Sequence, residues 1–358
     1  MRWFWLLALL CTSAFADDYQ LLRADPSGYQ SAEPDYEMNF PADHLPHSDF
    51  RIEWWYLTAN LTDTNGQHWG VQWTLFRQSL TPQTDPGGWA SNQVWMAHAA
   101  LSTPNGHRHA ERFARGGIGQ AGVALNDDSD FNAWLDDWQW TGSGAELFPG
   151  TLQLNFDNIE LTLQLNANTP WVLQGDNGYH QKSNLGQASY YYSQPHIQVA
   201  GTLNIDGATH SLSGPAWLDR EWSSQPLAPN QPGWDWFALH LNDGSALMVY
   251  QLRQSDGPAS VSGTWIDADG RTAPLPAQAI ELSVNQRQRI VLKDGSEKTL
   301  PLDWTLTLPD RNQRWRIQAD RANSWLDGLF PYWEGPVRAE ALNDKTPAGV
   351  GYLELTGY

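Results

Sequence analysis

Alternation of apolar and polar residues with a period of two is the feature that most restricts the fold of this chain. The clearest runs span residues 152–156 and 159–165, where leucine, isoleucine or phenylalanine occupies every second position. Similar alternation occurs at 71–75, 304–308 and 315–317. Because successive strand side chains point to opposite faces, this pattern buries one face of a sheet and leaves the other in water. Long helical periodicity is nearly absent, so the pattern predicts an all-β protein.

Short turns separate these runs. Pairs of Asn or Asp with Gly tolerate positive φ and suit tight hairpins. They occur at Asn65-Gly66, Asn105-Gly106, Asp206-Gly207, Asp243-Gly244, Asp269-Gly270 and Asp294-Gly295. Together with the alternation, they predict antiparallel, meander-like sheets built as barrels or sandwiches.

The N-terminus is typical of a secretory signal. Arg2 supplies a positive start, an apolar run follows to Leu10, and Ala14-Phe15-Ala16 matches an A-x-A cleavage site. We therefore expect a signal peptide at 1–16, cleavage after Ala16, and an exported protein that is periplasmic or secreted.

The rest of the chain divides at one Pro-rich polar break, SSQPLAPNQPG at 223–233. The polar, Pro-containing stretch 17–39 is expected to be an N-terminal extension. We accordingly predict an N-terminal domain at 40–224 and a C-terminal domain at 225–358.

Composition excludes some functions. The one cysteine, Cys11, lies in the predicted signal, so the mature chain is expected to have no disulfide and no thiolate chemistry. The formal net charge of −19 argues against nucleic acid as a partner, because phosphate backbones repel such a protein. The 21 tryptophans supply bulk for a core.

Ionisable and aromatic residues are unusually dense in FPADHLPHSDFRIEWWYLTANL, residues 40–61. A strand starting near Phe50 places Arg51, Glu53 and Trp55 on one face. Arg51 and Glu53 are then neighbours and are expected to form an ion pair beside an indole. A buried ion pair usually has a registry or site role, so both a ligand site and a structural network within a barrel stay open.

Two histidines precede this strand. The prolines around His44 and His47 hold them in a loop, where they are expected at the mouth of the first barrel. A metal site using Asp43, or His107 and His109, is the alternative. Its spacing is loose, so we predict no metal and histidines satisfied by hydrogen bonds to the backbone.

A second block, GPAWLDREW at 214–222, is the best candidate for proton chemistry. In a strand, Trp217, Asp219 and Glu221 share one face, and two carboxylates near indoles raise each other's pKa, with burial adding to the shift. A carboxyl kept protonated near pH 7 is what a general acid requires. Arg220 points the other way unless a turn brings it back. A structural cluster at a domain junction is the alternative.

Further aromatic blocks surround these candidates. In ASYYYSQPHI, Tyr190 and Tyr192 share one strand face and Tyr191 takes the other, so the first two either line a pocket or belong to a core. His240 lies on an apolar face and is expected to be a core residue. Glu334 lies between aromatic residues in YWEGPVRA.

With these blocks assembled, the chain resembles the AttH-like and carotenoid 1,2-hydratase family. The matching segments, in order, are DHLPHSDFRIEWWYLTANL, YYYS, GPAWLDREW, GWDWFALHLNDGSALMVY, YWEGPVRA and GYLELTGY. The resemblance implies two lipocalin-like antiparallel β-barrel domains packed together, with a functional cavity near their junction. Exported relatives are often labelled predicted secreted hydrolases, and some are associated with ABC transporters.

The resemblance also implies a chemistry. In the family's hydratases the acid lies in an aromatic-x-Asp element, here Trp217-Leu218-Asp219, and its upstream partners would fall around Tyr190 and Tyr192. A carboxylic acid protonates a carbon–carbon double bond, aromatic faces stabilise the cation, and water adds.

We therefore expect a protein that binds an elongated apolar or lipid-like ligand and needs no cofactor. Asp219 is the expected acid, Glu221 tunes its pKa and Arg220 orients the pair. The expected ligand-binding residues are Trp217, Tyr190, Tyr192, Trp55, Arg51, Glu53, His44 and His47. The alternative is a non-catalytic lipid or lipoprotein carrier associated with an ABC transporter.

Overall fold

The computed structural model describes residues 20–343 and 345–358, so the predicted signal peptide lies outside the described residues. Within these ranges the regular structure consists of strands and short 3₁₀ helices, and the strand pairs are antiparallel. The all-β, lipocalin-like prediction is confirmed. No helix in the described ranges is long and apolar enough to cross a membrane.

The first sheet has 13 strands. They are β1 (Ile52–Asp63), β2 (His68–Ser79), β3 (Gln93–Thr103), β4 (Gly106–Arg115), β5 (Ala121–Leu125), β6 (Phe131–Leu135), β7 (Trp138–Ser143), β8 (Glu146–Phe156), β9 (Ile159–Asn166), β10 (Val172–Leu173), β11 (Tyr179–Gln181), β12 (Ala188–Ile205) and β13 (Ala208–Ser223). The order is β4-β3-β2-β1-β13-β12-β9-β8-β7-β6-β5, and β10 and β11 pair with β12. This order places the two dense sequence blocks on neighbouring strands, β1 and β13.

The second sheet has 10 strands. They are β14 (Trp234–Leu241), β15 (Ala246–Leu252), β16 (Ser260–Ile266), β17 (Thr272–Leu275), β18 (Glu281–Val291), β19 (Glu297–Leu308), β20 (Gln313–Ala319), β21 (Trp325–Leu326), β22 (Tyr332–Ala341) and β23 (Thr346–Thr356). The order is β17-β16-β15-β14-β23-β22-β20-β19-β18, with β21 beside β22. The 3₁₀ helices are Gln20–Arg23, Ala42–His44, Gly88–Ala90, Ala277–Ala279 and Pro309–Arg311.

The two sheets curl into a barrel and a half-barrel, and each encloses an apolar core. The alternating leucines of β8 and β9 lie in the first core, as their period predicts. A third apolar cluster joins the sheets and includes Tyr56, Tyr191 and Trp217 from the first and Trp236 and Tyr250 from the second. The cavity described below is lined by several members of this junction cluster.

Strand register decides which side chains face the junction. On β13, Asp219 lies opposite Tyr56 of β1 and Ser193 of β12. Glu221 lies opposite Trp54 and Tyr191 in the same two strands. Because directly paired residues share a face, these side chains point to the same side of the sheet.

Candidate functional site

Asp219 is a buried carboxyl held by three hydrogen-bond donors. The Tyr191 hydroxyl donates to Oδ2 at 2.6 Å. The Ser193 hydroxyl and the Trp217 indole N–H donate to Oδ1 at 2.5 and 2.6 Å. The side chain is 3% exposed. Its orientation is therefore fixed by its own and the neighbouring strand.

Burial raises the pKa of Asp219 to about 7, because the charged carboxylate loses water. The three donors lower this pKa in part, and the negative charge of Glu221 raises it. The sequence predicted the direction of the shift, although burial contributes more than the second carboxylate. A carboxyl with this pKa is partly protonated at neutral pH and suits acid or base chemistry.

Glu221 has a cation of its own. The Lys182 ammonium lies 2.6 Å from Glu221 Oε1 and 2.8 Å from His180 Nδ1. The Ser189 hydroxyl also donates to Glu221. Burial lowers the pKa of Lys182, and the carboxylate of Glu221 opposes this effect. The Lys182–Glu221 ion pair thus lies beside Asp219, and the hydrogen bonds to the Asp219 carboxyl come from three neutral donors.

These groups line a narrow chamber of about 90 Å³ at the junction of the sheets. Its walls are mostly aromatic and come from both sheets; they include Trp54, Tyr56, Phe76, Tyr191, Trp234, Trp236, Tyr250 and Tyr332. Asp219, Glu221, Lys182 and Glu354 supply its charged groups. The chamber thus offers an acid beside a large aromatic surface.

A wider cleft of about 300 Å³ adjoins this chamber. Its walls are largely apolar and include Leu80, Val94, Met96, Phe113, Leu329 and Phe330. Tyr332 and Glu354 line both spaces, together with Leu22, Ile52, Phe76 and Trp234, and these shared residues mark the neck between them. The outer cleft has the volume of a small-molecule site and leads toward Asp219.

A second pair of carboxyls lies near the neck. Glu354 of β23 is paired in register with Glu334 of β22. The Tyr56 hydroxyl donates to Glu334 Oε1 at 2.6 Å, across the two sheets. Burial raises the pKa of Glu354 to about 8 and also raises that of Glu334, which the negative charge of Glu354 raises further. The sequence places Glu334 between aromatic residues but does not indicate its partner.

Arg220 and Glu53 lie on the opposite face of the sheet from Asp219. Glu53 is fully buried and pairs there with Arg77 and Arg220. The Arg220 guanidinium also lies 3.8 Å from the centre of the Trp55 ring. Since β13 stays regular at this point, no turn brings Arg220 back, and the prediction that it orients Asp219 and Glu221 is wrong.

The predicted ion pair between Arg51 and Glu53 is also wrong. Glu53 has Arg77, Arg220 and His47 as its ion-pair partners. Arg51 precedes β1, and its guanidinium donates to the Asp25 carbonyl at 3.4 Å. Arg51 and Glu53 are close in sequence, but the arginine partners of Glu53 lie on β2 and β13. The sequence alone does not show that these strands are neighbours of β1.

The predicted tyrosines lie on this same far face. Tyr190 and Tyr192 pack with Phe50 and Trp222, away from the Asp219 chamber. The Tyr192 hydroxyl lies 2.7 Å from His44 Nδ1. Strand alternation instead sends Tyr191 to the chamber. The expectation that Tyr190 and Tyr192 line the cavity of Asp219 is therefore wrong by one residue.

His44 and His47 likewise belong to the far face. His44 is fully buried, and burial lowers its pKa to about 3, so it is neutral. The His47 ring stacks on Trp222, with ring centres 3.9 Å apart, and lies 3.3 Å from carboxylates of both Asp43 and Glu53. Both histidines have side-chain partners where the sequence predicted backbone partners.

Of the predicted residues, Trp217, Asp219 and Glu221 lie together at the junction, whereas Trp55 lies in the core of the first barrel. Sequence reasoning missed Tyr191, Ser193 and Lys182. The sequence shows that Tyr191 lies on the opposite strand face from Tyr190 and Tyr192, but it does not show that this strand pairs with β13. No group of three or more His, Cys, Asp or Glu in the described ranges is placed to hold a metal ion.

The fold and the site together define a class: lipocalin-like proteins of two sheets with a buried carboxyl at their junction. The profile of the family described as AttH-like matches residues 31–358. A putative AttH from Nitrosomonas europaea is 35% identical in sequence, with a TM-score of 0.80 over 92% of this chain and 99% of that one. The chain belongs to the AttH-like family.

Two more distant structures share the fold. Kievitone hydratase from Nectria haematococca has a TM-score of 0.65 at 16% identity, over 93% of this chain and 97% of its own. The structure of CghA with Sch210972 has a TM-score of 0.54 at 12% identity, over 94% and 97%. No curated protein matches the sequence.

Proposed function

We propose that the protein binds an elongated apolar ligand at the junction of its sheets and that Asp219 acts on it as a general acid, in hydratase- or hydrolase-type chemistry. The observation that supports this most is a carboxyl with a pKa of about 7 at the inner end of an apolar cleft. The fold shared with kievitone hydratase is consistent with hydration.

The cleft and the chamber suit different parts of a ligand. The outer cleft, about 300 Å³ with mostly apolar walls, would hold the hydrocarbon body. The chamber, about 90 Å³, would admit a narrow reacting end past Tyr332 and Glu354. Burying a hydrocarbon there contributes roughly 25 cal/mol for each Å² of apolar surface removed from water.

For an alkene, the proposed step balances without a cofactor. Asp219 gives its proton to one carbon of the double bond, and a positive charge develops on the other. The faces of aromatic residues such as Trp236 and Tyr56 stabilise that charge. A water oxygen then bonds to the cationic carbon, and the proton that this water loses returns to the Asp219 carboxylate.

The test is incubation with a total lipid extract and a panel of isoprenoid alkenes, followed by mass spectrometry. Hydration adds the mass of one water, and hydrolysis yields fragments whose masses sum to substrate plus water. The variant Asp219→Asn keeps the size of the side chain and removes its proton. We expect turnover to fall about 10²- to 10⁴-fold with ligand retention unchanged.

The matched control is Asp35→Asn, an exposed acid remote from the chamber, which should retain full turnover. Ligands recovered unaltered, with equal retention by wild type and Asp219→Asn, would overturn the enzyme proposal and favour a lipid or lipoprotein carrier. Export stays a prediction, which N-terminal sequencing of the mature protein would check.

A further inference from the structure

Glu354 is the carboxyl that a ligand meets at the neck between the outer cleft and the chamber. It lies on β23 and lines both spaces. Asp219 and Glu334 are 3% and 1% exposed, whereas Glu354 is only partly buried. A ligand that extends from the cleft to Asp219 therefore passes the accessible side of the Glu354 carboxyl.

The surroundings of Glu354 favour its uncharged form. Burial raises its pKa to about 8, and the negative charges of Asp219 and Glu221 act in the same direction. Glu334 lies directly opposite on β22, so two carboxyls share one face of the second sheet. At neutral pH, Glu354 is therefore largely a carboxylic acid, which has an O–H donor.

This O–H donor is available to a ligand. The Trp234 side chain donates a hydrogen bond to Glu354, and an indole nitrogen can only donate. No acceptor in the part of the chain that the structure describes is hydrogen-bonded to the Glu354 carboxyl. The hydroxyl of Tyr332, which also lines the neck, already lies 2.9 Å from His98 Nδ1 and accepts from Gln72 Nε2 at 3.4 Å.

The lining of both spaces disfavours a negatively charged ligand. Lys182 is the cation among the described residues of the chamber, and its ammonium lies 2.6 Å from Glu221. The described lining of the outer cleft contains no lysine or arginine, and its histidine, His98, is paired with Glu111. A carboxylate or phosphate on the ligand would be buried near other carboxyls without a cation of its own, which is costly.

A plain hydrocarbon also fits the neck poorly. It would displace water from Glu354 and leave the O–H without an acceptor. A buried donor that loses its partner weakens binding more than a satisfied one strengthens it. A neutral ligand oxygen avoids both penalties, because it accepts from the acid and carries no charge.

We propose that Glu354 determines specificity by donating a hydrogen bond to a neutral carbonyl oxygen part-way along the ligand. The hydrocarbon on one side of this oxygen fills the outer cleft, and the part on the other side reaches Asp219. The inference rests on the ligand site proposed above and adds the chemical class of the ligand. That class is a neutral chain with a carbonyl group, such as a ketone or an ester, and excludes fatty-acid anions.

Competition between three probes tests this inference. Wild type is equilibrated at neutral pH with dipentyl ketone, undecane and undecanoate, which have the same number of carbon atoms and no double bond. The protein is separated rapidly by gel filtration, and the retained probes are quantified by gas chromatography and mass spectrometry. The measured quantity is the amount of ketone retained divided by the amount of undecane retained. Comparing this ratio between variants cancels the different water solubilities of the probes.

Three variants interpret the ratio. Glu354→Met removes the O–H donor and keeps the length of the side chain, so the ratio should fall about fivefold, as expected for one lost hydrogen bond. Glu354→Gln keeps an N–H donor and should retain most of the preference for the ketone. Glu281→Met makes the same change at an exposed glutamate of β18 and should show the wild-type ratio. Wild type should retain undecanoate least.

The results separate this inference from the ligand site on which it rests. Equal ratios in wild type and Glu354→Met, or equal losses in Glu354→Met and Glu354→Gln, would overturn selection by the O–H donor and leave the site intact. Undecanoate retained by wild type as well as the ketone would overturn the exclusion of anions, a comparison that needs no variant. Retention of none of the probes would overturn the ligand site itself. The probes are not turned over, so these outcomes hold whether or not Asp219 is catalytic.

Discussion

At the scale of single residues, Asp219 and Glu53 show how environment sets the chemistry of a carboxyl. Both are buried in the same region of the first sheet. Asp219 receives hydrogen bonds from neutral donors, which lower its pKa. Burial raises the pKa by more than these donors lower it, so the pKa is about 7. Burial also opposes ionisation of Glu53, but Arg77 and Arg220 outweigh it and hold its pKa well below the usual range. One carboxyl can exchange a proton near neutral pH, and the other stays charged.

The raised pKa of Asp219 makes stability depend on pH. Between its unfolded value of 3.8 and its folded value of about 7, the folded state holds a proton that the unfolded state has lost. The stability this group contributes is therefore complete below pH 3.8 and is lost as pH rises to 7. Asp219→Asn does not titrate. We expect the variant to gain stability relative to wild type by about 3 kcal/mol from pH 4 to pH 7, measured by urea unfolding. If the difference in unfolding free energy between the variant and wild type were the same at pH 4 and pH 7, the raised pKa of Asp219 would be contradicted.

Removing the charge of Glu53 should destabilise the first barrel. Glu53→Gln leaves Arg77 and Arg220 buried without their shared anion. We expect a loss of about 3–5 kcal/mol in the free energy of unfolding near neutral pH, by chemical denaturation. Glu160→Gln, an exposed acid on β9, is the control and should change stability little. A loss as small as that of the control would show that the network is dispensable.

At the scale of elements, β12 separates two chemical environments across one strand. Tyr191 points to the junction and donates to Asp219, whereas Tyr192 points to the far face and meets His44. Hydrogen-bonded pairing with β13 fixes this choice, because Tyr191 lies opposite Glu221 and Ser193 lies opposite Asp219. A slip of one residue would exchange the two faces.

The two neighbouring tyrosines therefore make a matched pair of variants. Tyr191→Phe removes a donor to the ionised form of Asp219, so the pKa of Asp219 should rise by about one unit. Tyr192→Phe should leave it unchanged. Carbon-detected NMR of labelled aspartate side chains, or the pH profile of turnover, measures this pKa. Equal effects of the two variants would mean that the register of β12 differs from that described.

At the scale of the whole molecule, neither sheet alone forms the cavity. β1 and β13 supply Tyr56 and Asp219, and β14 and β23 supply Trp236 and Glu354. Tyr56 also reaches across to Glu334. The cavity therefore depends on how the two sheets pack, and its outer cleft is the route by which we expect ligands to enter.

Blocking that route should prevent binding without altering the acid. Val94 lines the outer cleft and is remote from the hydrogen bonds of Asp219. We expect Val94→Trp to reduce retention of apolar ligands about tenfold or more while the pKa of Asp219 stays near 7. Val284→Trp places the same indole at an exposed valine that does not line the cleft, and this variant should retain ligand. Unchanged retention in Val94→Trp would show that ligands use another path.

Local sequence patterns were sufficient to predict the all-β class and the family, and to place Asp219 on one strand face with Trp217 and Glu221. Alternation of period two and Asx-Gly turns are local patterns, so they predict strands without knowledge of partners. Trp217, Asp219 and Glu221 share a face because parity within one strand is also local. These inferences needed no information about which strands are neighbours.

Which residues join Asp219 and which lie on the opposite face of the sheet depends on strand pairing and sheet packing. Tyr191, Lys182 and Trp236 reach the junction through pairing and packing over long sequence separations, while Arg220 and Glu53 meet on the opposite face. The physical reason is that a strand pattern gives two faces but does not say which one meets another sheet. That choice depends on the register between β1, β12 and β13, and on how the two sheets pack.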